Sequence, residues 1–111
     1  MDELTPSKPV IDLMILDALS GGRSYGYLIV QDVLARSGGR FEIKEGALYP
    51  ALHRLERARL LKATWGEEAG RRRKYYALTA AGRKSLRARR ADWRAFAAAV
   101  ESVLSPRAAD A

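Results

Sequence analysis

Apolar positions along the chain follow three rhythms, and each rhythm predicts a different kind of element. Val10 to Leu19, VIDLMILDAL, is apolar except at Asp12 and Asp17. A run that dense predicts a helix over residues 9–20 that is covered on most sides. Two further helices and a hairpin are too few to enclose it, so a second subunit is expected to cover part of it. Ser20 to Arg23 predict a turn and Ser24 an N-cap, opening a helix from Tyr25 to Ser37 with Tyr25, Leu28, Ile29 and Val33 facing inward. Gly38 and Gly39 stop it, and Arg40 to Lys44 form a connector with a minor strand through Phe41 and Ile43. From Glu45 to about Ala58, Leu48, Leu52 and Leu55 recur at spacings of four and three, the buried stripe of a third helix. Pro50 is expected in or near its first turn, because deeper in a helix a proline costs about 3 kcal/mol.

The period then becomes two. Leu61, Ala63 and Trp65 alternate with Lys62, Thr64 and Gly66, as in a half-buried strand. Gly66 to Gly70 breaks that strand, and an aromatic-rich return strand runs from about Arg73 to Leu78. Thr79 is a good N-cap for a last helix that reaches about Leu104, before Pro106. The sum is a mainly α fold with a small β-ribbon (α+β): a winged helix-turn-helix over residues 8–78, a C-terminal dimerisation helix over 79–104, and flexible termini at 1–7 and 105–111. In the last helix Leu86, Trp93 and Val100 are seven apart, and Phe96 and Val103 complete a heptad-like seam for a partner helix. The alternative is a seam packed only on this subunit's own core.

Charge adds a polarity to this layout. Residues 1–43 hold four basic and six acidic groups, residues 44–94 fifteen and five, and residues 95–111 one and two, giving +7 in all. The excess lies on the third helix, the ribbon and the start of the last helix, which favours a polyanionic partner such as double-stranded DNA. Lys44, Tyr49, His53, Arg54 and Arg57 fall away from the leucine stripe on a face that could enter a major groove. Arg71, Arg72, Arg73 and Lys74 crowd the end of the hairpin, where they would lie along phosphates; a plain solvated loop is the alternative. Tyr25, at the start of the second helix, joins these candidates. Arg83, Lys84, Arg87, Arg89, Arg90 and Arg94 are expected to be solvated or paired.

Cysteine is absent and histidine occurs once, so the inventory offers no disulfide, no thiolate, no multi-histidine metal site and no cofactor. With only Glu67 and Glu68 as a carboxylate pair, in a turn, no catalytic residue is assigned and an enzyme is not expected. No apolar run approaches the ~20 residues that cross a bilayer, and MDELTPSKP lacks the basic and apolar regions of a signal peptide, so a cytoplasmic protein is expected.

Four segments, ILDALSGGRSYGY, EGALYPALHRLE, GRRRKYYALTAAGR and ADWRAF, in this order make the chain resemble the PadR family of winged helix-turn-helix transcriptional regulators, from Val10 to Leu104. The short length and single C-terminal helix are similar to the compact branch of that family, some members of which bind flat aromatic drugs at the dimer interface. The resemblance implies a homodimeric repressor on a pseudo-palindromic operator. One departure is Arg59, where the family usually has a glycine at the end of the recognition helix; a left-handed backbone there would strain Arg59. Trp93 has two readings: a large interface anchor, or the wall of a slot shared with its symmetry mate. In the second, Phe96, Ala97, Val100, Met14 and Ile15 complete an apolar lining for a small planar aromatic effector. Asp92 points about a quarter-turn away, so the slot does not select cations. A different class of function is a winged helix used for protein interaction, its basic wing serving an acidic partner.

Overall fold

The computed structural model describes residues 5–107. The flexibility expected of the outermost residues, 1–4 and 108–111, lies outside them. Four helices and one antiparallel hairpin follow each other as α1 (Lys8–Ala18), α2 (Gly26–Arg36), α3 (Glu45–Arg57), β1 (Leu61–Glu68), β2 (Arg71–Leu78) and α4 (Ala80–Leu104). The fold is α+β, and α2 and α3 with the hairpin form a winged helix-turn-helix. Ile15 and Leu16 of α1, Ile29 of α2 and Leu52 of α3 are completely buried against one another, with Leu61, Tyr76 and Leu86 closing the core from the hairpin and α4. Each such side chain stabilises the fold by roughly 1.5–3 kcal/mol.

α2 begins one residue later than its sequence suggests. Its N-cap is Tyr25, with no side-chain cap bond, because Ser24 is used elsewhere. Ser24 exchanges backbone hydrogen bonds with Tyr76 (N–H to O=C, 3.0 and 2.8 Å), an isolated bridge that pins the loop before α2 to the hairpin. The minor strand expected through Phe41 and Ile43 does not form; Ile43 is buried in a connector without regular structure. Leu28 is 45% exposed rather than inward, since the buried stripe of α2 passes through Ile29 and Val33, about a hundred degrees away. Gly38 and Gly39 stop α2 with φ of 66° and 82°, angles that a glycine tolerates without strain.

α3 starts at Glu45, so Pro50 lies inside the helix and not in its first turn. The carbonyl it deprives of a donor is that of Gly46. Both residues are exposed, so water can satisfy that group and the cost expected of a proline is reduced. At the far end Arg59 has φ of 62°. Leu60 N–H reaches Leu55 O at 3.0 Å and Arg59 N–H reaches Glu56 O at 2.9 Å, the pair of bonds that closes a helix around a left-handed residue.

In the hairpin, β1 runs on through Gly66 to Glu68 and β2 starts at Arg71, both longer than the sequence suggests. The turn is only Ala69 and Gly70, with φ of 52° and 77°, the tight two-residue geometry that matches strand twist. Gly66 is a space-maker and not a breaker: a Cβ there would lie 2.8 Å from the ring of Tyr75. The alternation of β1 fades as the hairpin leaves the core, and Trp65 is 59% exposed.

Thr79 caps α4, its hydroxyl oxygen accepting from Gly82 N–H (2.9 Å) and its proton going to the Arg59 carbonyl (2.7 Å). A Cβ on Gly82 would fall 2.0 Å from Leu60 O, so the first turn of α4 rests on the α3–β1 junction. Leu86 is 2% exposed and belongs to this subunit's core, not to a seam for a partner. Heptad spacing cannot separate the two cases, and here α1 covers the start of α4. Beyond Arg90 the helix projects, about 37 Å long in total, from a molecule whose extents are 64 × 33 × 22 Å.

Candidate nucleic-acid interface

On α3, Tyr49, His53 and Arg57 are four residues apart and share one exposed stripe. His53 and Arg57 carry no ion pair among the described residues. Tyr49 also meets the start of α2, since a Cβ on Gly26 would sit 3.1 Å from its hydroxyl. Arg54 turns the other way and pairs with Asp12 of α1 at 2.7 Å. Lys44 binds Glu42 at 2.6 Å. The third-helix candidates thus divide into a bare stripe and two cations with acidic partners.

The strand period divides the basic run of the wing too. Cross-strand pairing sets Trp65 opposite Lys74, Glu67 opposite Arg72 and Gly66 opposite Arg73, so Arg72 and Lys74 share one face and Arg71 and Arg73 the other. Arg72 lies over the Trp65 ring at 4.5 Å. Lys74 faces α3, with Nζ 3.8 Å from a Glu56 carboxylate oxygen and 5.6 Å from the Tyr76 ring. Arg73 lies over the Tyr25 ring at 4.2 Å. Arg71 alone sits at the tip with no partner among the described residues. The four are therefore not one mobile cluster, because the run is strand and not loop.

Arg23, absent from the residues expected to bind DNA, meets the ribbon on the face that carries Arg71 and Arg73. Its guanidinium lies 4.2 Å above the Tyr75 ring, and Tyr75 meets Tyr25 edge to face at 5.6 Å. The only signal in the sequence is a cation two residues before a tyrosine, which has meaning only once the ribbon is folded back on that loop. The Tyr75 hydroxyl donates to Glu68 at 3.0 Å. Burial, followed by this bond to a carboxylate, pushes the Tyr75 phenol above its ordinary value.

The candidate effector residues separate as well. A cavity of about 380 Å³ between α1, α2 and α4 is lined by Met14, Leu13, Phe41 and Trp93, with Arg36, Arg90 and Arg94 among its polar groups. A second, about 430 Å³, lies on the other side and takes in Trp93 and Phe96, whose rings are 6.0 Å apart. Ala97 and Val100 line neither, and Ile15 is completely buried in the core. Ile15 packs against this subunit and cannot line a slot. Trp93, Phe96, Val100 and Val103 remain exposed along α4. Asp17 closes the first cavity, accepting from Arg90 Nε at 2.8 Å and from Arg36 at 2.7 Å. Burial alone would raise Asp17, but the two guanidiniums outweigh it and hold the carboxyl below its ordinary value.

Among the described residues no acidic, histidine or cysteine group could hold a metal ion, and no helix is long and apolar enough to cross a membrane. The model of the transcriptional regulator PadR-like family matches residues 15–88. The chain is 35% identical over 79 residues, 71% of each protein, to the transcriptional regulator Rv3488 of Mycobacterium tuberculosis. Its fold is similar to a transcriptional regulator from Clostridium thermocellum (TM-score 0.81, 32% identity, 88% of this chain and 96% of that one). It is likewise similar to a PadR family transcription regulator from Clostridium difficile (TM-score 0.74, 34% identity, 86% and 98%).

Proposed function

The chain belongs to the PadR-like family of transcriptional regulators, and on that premise we propose that it is a homodimeric cytoplasmic repressor binding a pseudo-palindromic operator with one α3 per half-site. The observation that carries this is the stripe of Tyr49, His53 and Arg57, exposed beside a basic wing and, among the described residues, with neither His53 nor Arg57 held in an ion pair. Tyr49, His53 and Arg57 meet base edges or adjacent phosphates in a major groove, while Arg71, Arg72, Arg73 and Lys74 lie along the backbone. The outer face of α4 supports pairing with a second copy. Trp93, Phe96, Val100 and Val103 form an exposed apolar edge on a projecting helix, and two helices joined there can space two recognition helices by roughly 34 Å, one turn of DNA.

A planar aromatic compound held at Trp93, where two copies of α4 meet, relieves repression. It does so only by binding more tightly to a dimer whose recognition helices are wrongly spaced. Quenching of tryptophan fluorescence by such compounds should vanish in Trp93→Ala, whose remaining indole is Trp65; quenching that persists unchanged removes the effector. The operator proposal is tested by a gel shift of DNA from upstream of the protein's own gene, at physiological salt with competitor DNA. A shift that survives competitor is expected. Equal loss to random duplex would point instead to an interaction module without sequence-specific DNA binding.

A further inference from the structure

The loop before α2 and the back face of the wing are joined by an alternating stack: Arg23 on Tyr75, Tyr75 edge-on to Tyr25, and Arg73 on Tyr25. Three local features hold it still. Ser24 is hydrogen-bonded to Tyr76 on the neighbouring strand. Tyr75 is fixed by its bond to Glu68 and by the empty space above Gly66, a point only 3.7 Å from Arg23 Nη1. Both guanidiniums therefore act on the Tyr75 phenol, and each lies flat on a ring that restricts its torsions.

A guanidinium can be satisfied in two ways. A carboxylate consumes its N–H edge, whereas a ring covers its face and leaves that edge for an acceptor. Arg36, Arg54 and Arg90 are of the first kind. Arg23 and Arg73 are of the second: neither has an ion pair among the described residues, and since Arg73 Nε is buried without a hydrogen-bond partner, its Nη groups are the ones left for an outside acceptor. The Glu68 carboxylate lies on the same face of the ribbon, bonded to the Tyr75 hydroxyl, and forms an ion pair with neither guanidinium. A phosphate reached by both would supply the ion pair that each lacks, and little side-chain freedom is left to lose.

We propose that Arg23 and Arg73 form a preset clamp for one backbone phosphate of DNA, with Tyr25 and Tyr75 as its positioning residues. The proposal rests on the DNA-binding function above and adds to it a residue, Arg23, outside the recognition helix and the wing. The occupant is a phosphate because an arginine edge matches two phosphate oxygens at once. It belongs to a duplex because the stack adjoins the start of α2, where Gly26 meets Tyr49 of the groove-facing stripe. The clamp would then grip the strand flanking the groove that α3 enters.

The test is fluorescence anisotropy of the full-length protein with a random-sequence duplex, titrated at several salt concentrations. Arg23→Ala should flatten the slope of log K against log salt, by at most about 0.9 for each clamped phosphate because Arg73 remains, so by at most roughly 2 for a dimer, and weaken binding about tenfold or more at physiological salt. Arg87→Ala, an equal change of charge on exposed α4, should leave the slope alone. Arg23→Lys keeps the charge but not the flat stack and should fall between. Tyr25→Leu keeps every cation but frees Arg73, so affinity should drop several-fold, on the order of 3–10, with most of the slope retained. An unchanged slope in Arg23→Ala, or equal effects of Arg23→Ala and Arg87→Ala, overturns the clamp while wild-type binding leaves the DNA function standing. A wild-type protein that binds no duplex overturns both. Thermal unfolding of Arg23→Ala and of Arg23→Gln distinguishes a missing phosphate grip from a misfolded chain, and both variants must show the flattened slope for the clamp to hold.

Discussion

Two arginine-rich regions of this molecule look alike in sequence and are unlike in structure. On α4, Arg90 shares Asp17 with Arg36, Arg89 turns to Ser85 Oγ at 3.0 Å, and Arg83 reaches the Leu78 carbonyl at 3.3 Å. On the wing, Arg72 and Arg73 lie on indole and phenol faces. Arg83, Arg89 and Arg90 spend N–H groups inside the subunit; Arg72 and Arg73 keep N–H groups for an outside acceptor. A count of positive charge treats the two as equal, but the kind of neighbour distinguishes a structural cation from one available to a polyanion.

The largest effect expected from this contrast comes from removing the wing cations together. Arg72, Arg73 and Lys74 changed to Ala should weaken binding to every duplex by about 100-fold or more and flatten the salt dependence by about one unit for each phosphate no longer neutralised. Lys74 should contribute least, because Glu56 already faces it. An unaltered salt slope, read by filter binding across a salt series, would erase the distinction between the two regions.

On the α4 side the expected effect is on stability. Asp17→Asn leaves two guanidiniums without their shared carboxylate and should cost about 1–2 kcal/mol near neutral pH, between exposed and buried pairs. Because the folded pKa of Asp17 is depressed, its contribution is present above the ordinary carboxylate range and disappears as pH falls through the folded value. Denaturation of the variant and of the parent should therefore converge in acid. Curves that stay parallel from about pH 7 to about pH 3 would show that the node adds nothing. DNA binding of the folded variant should keep the parent's salt slope.

Smallest is Arg59→Gly at the junction that both regions share. Relief of a left-handed non-glycine residue, offset by the greater freedom of glycine when unfolded, should stabilise the protein by up to about 1 kcal/mol. A lower melting temperature would mean that the Arg59 side chain contributes more than its backbone costs.

Much of the fold could be read from the chain because its signals are local. Leu48, Leu52 and Leu55, the Gly38-Gly39 stop and the Thr79 cap each act within a few residues, and each appears where its chemistry requires. Arg59 stands out in the sequence as a departure from the usual glycine, but only the structure supplies its left-handed φ of 62°. What could not be read depends on partners far away in sequence. Ser24 is drawn from its capping role by Tyr76, Leu86 is claimed by the core from inside an apparent heptad seam, and Gly66 makes room for Tyr75. The candidate site shows the same division. The stripe of Tyr49, His53 and Arg57 follows from helical spacing, whereas Arg54 is diverted by Asp12, 42 residues away. A basic run looks like a loop until the strand period divides it, and Arg23 has no role until the ribbon folds back over it.

The central claim is that two copies present their α3 stripes and wings to one side of a duplex. Hydroxyl-radical footprinting of the DNA upstream of the protein's own gene tests it directly. Two protected half-sites related by a two-fold axis are expected, their centres about 10 base pairs apart on one face of the helix. Uniform cleavage, or a single protected patch without a symmetric mate, would contradict it.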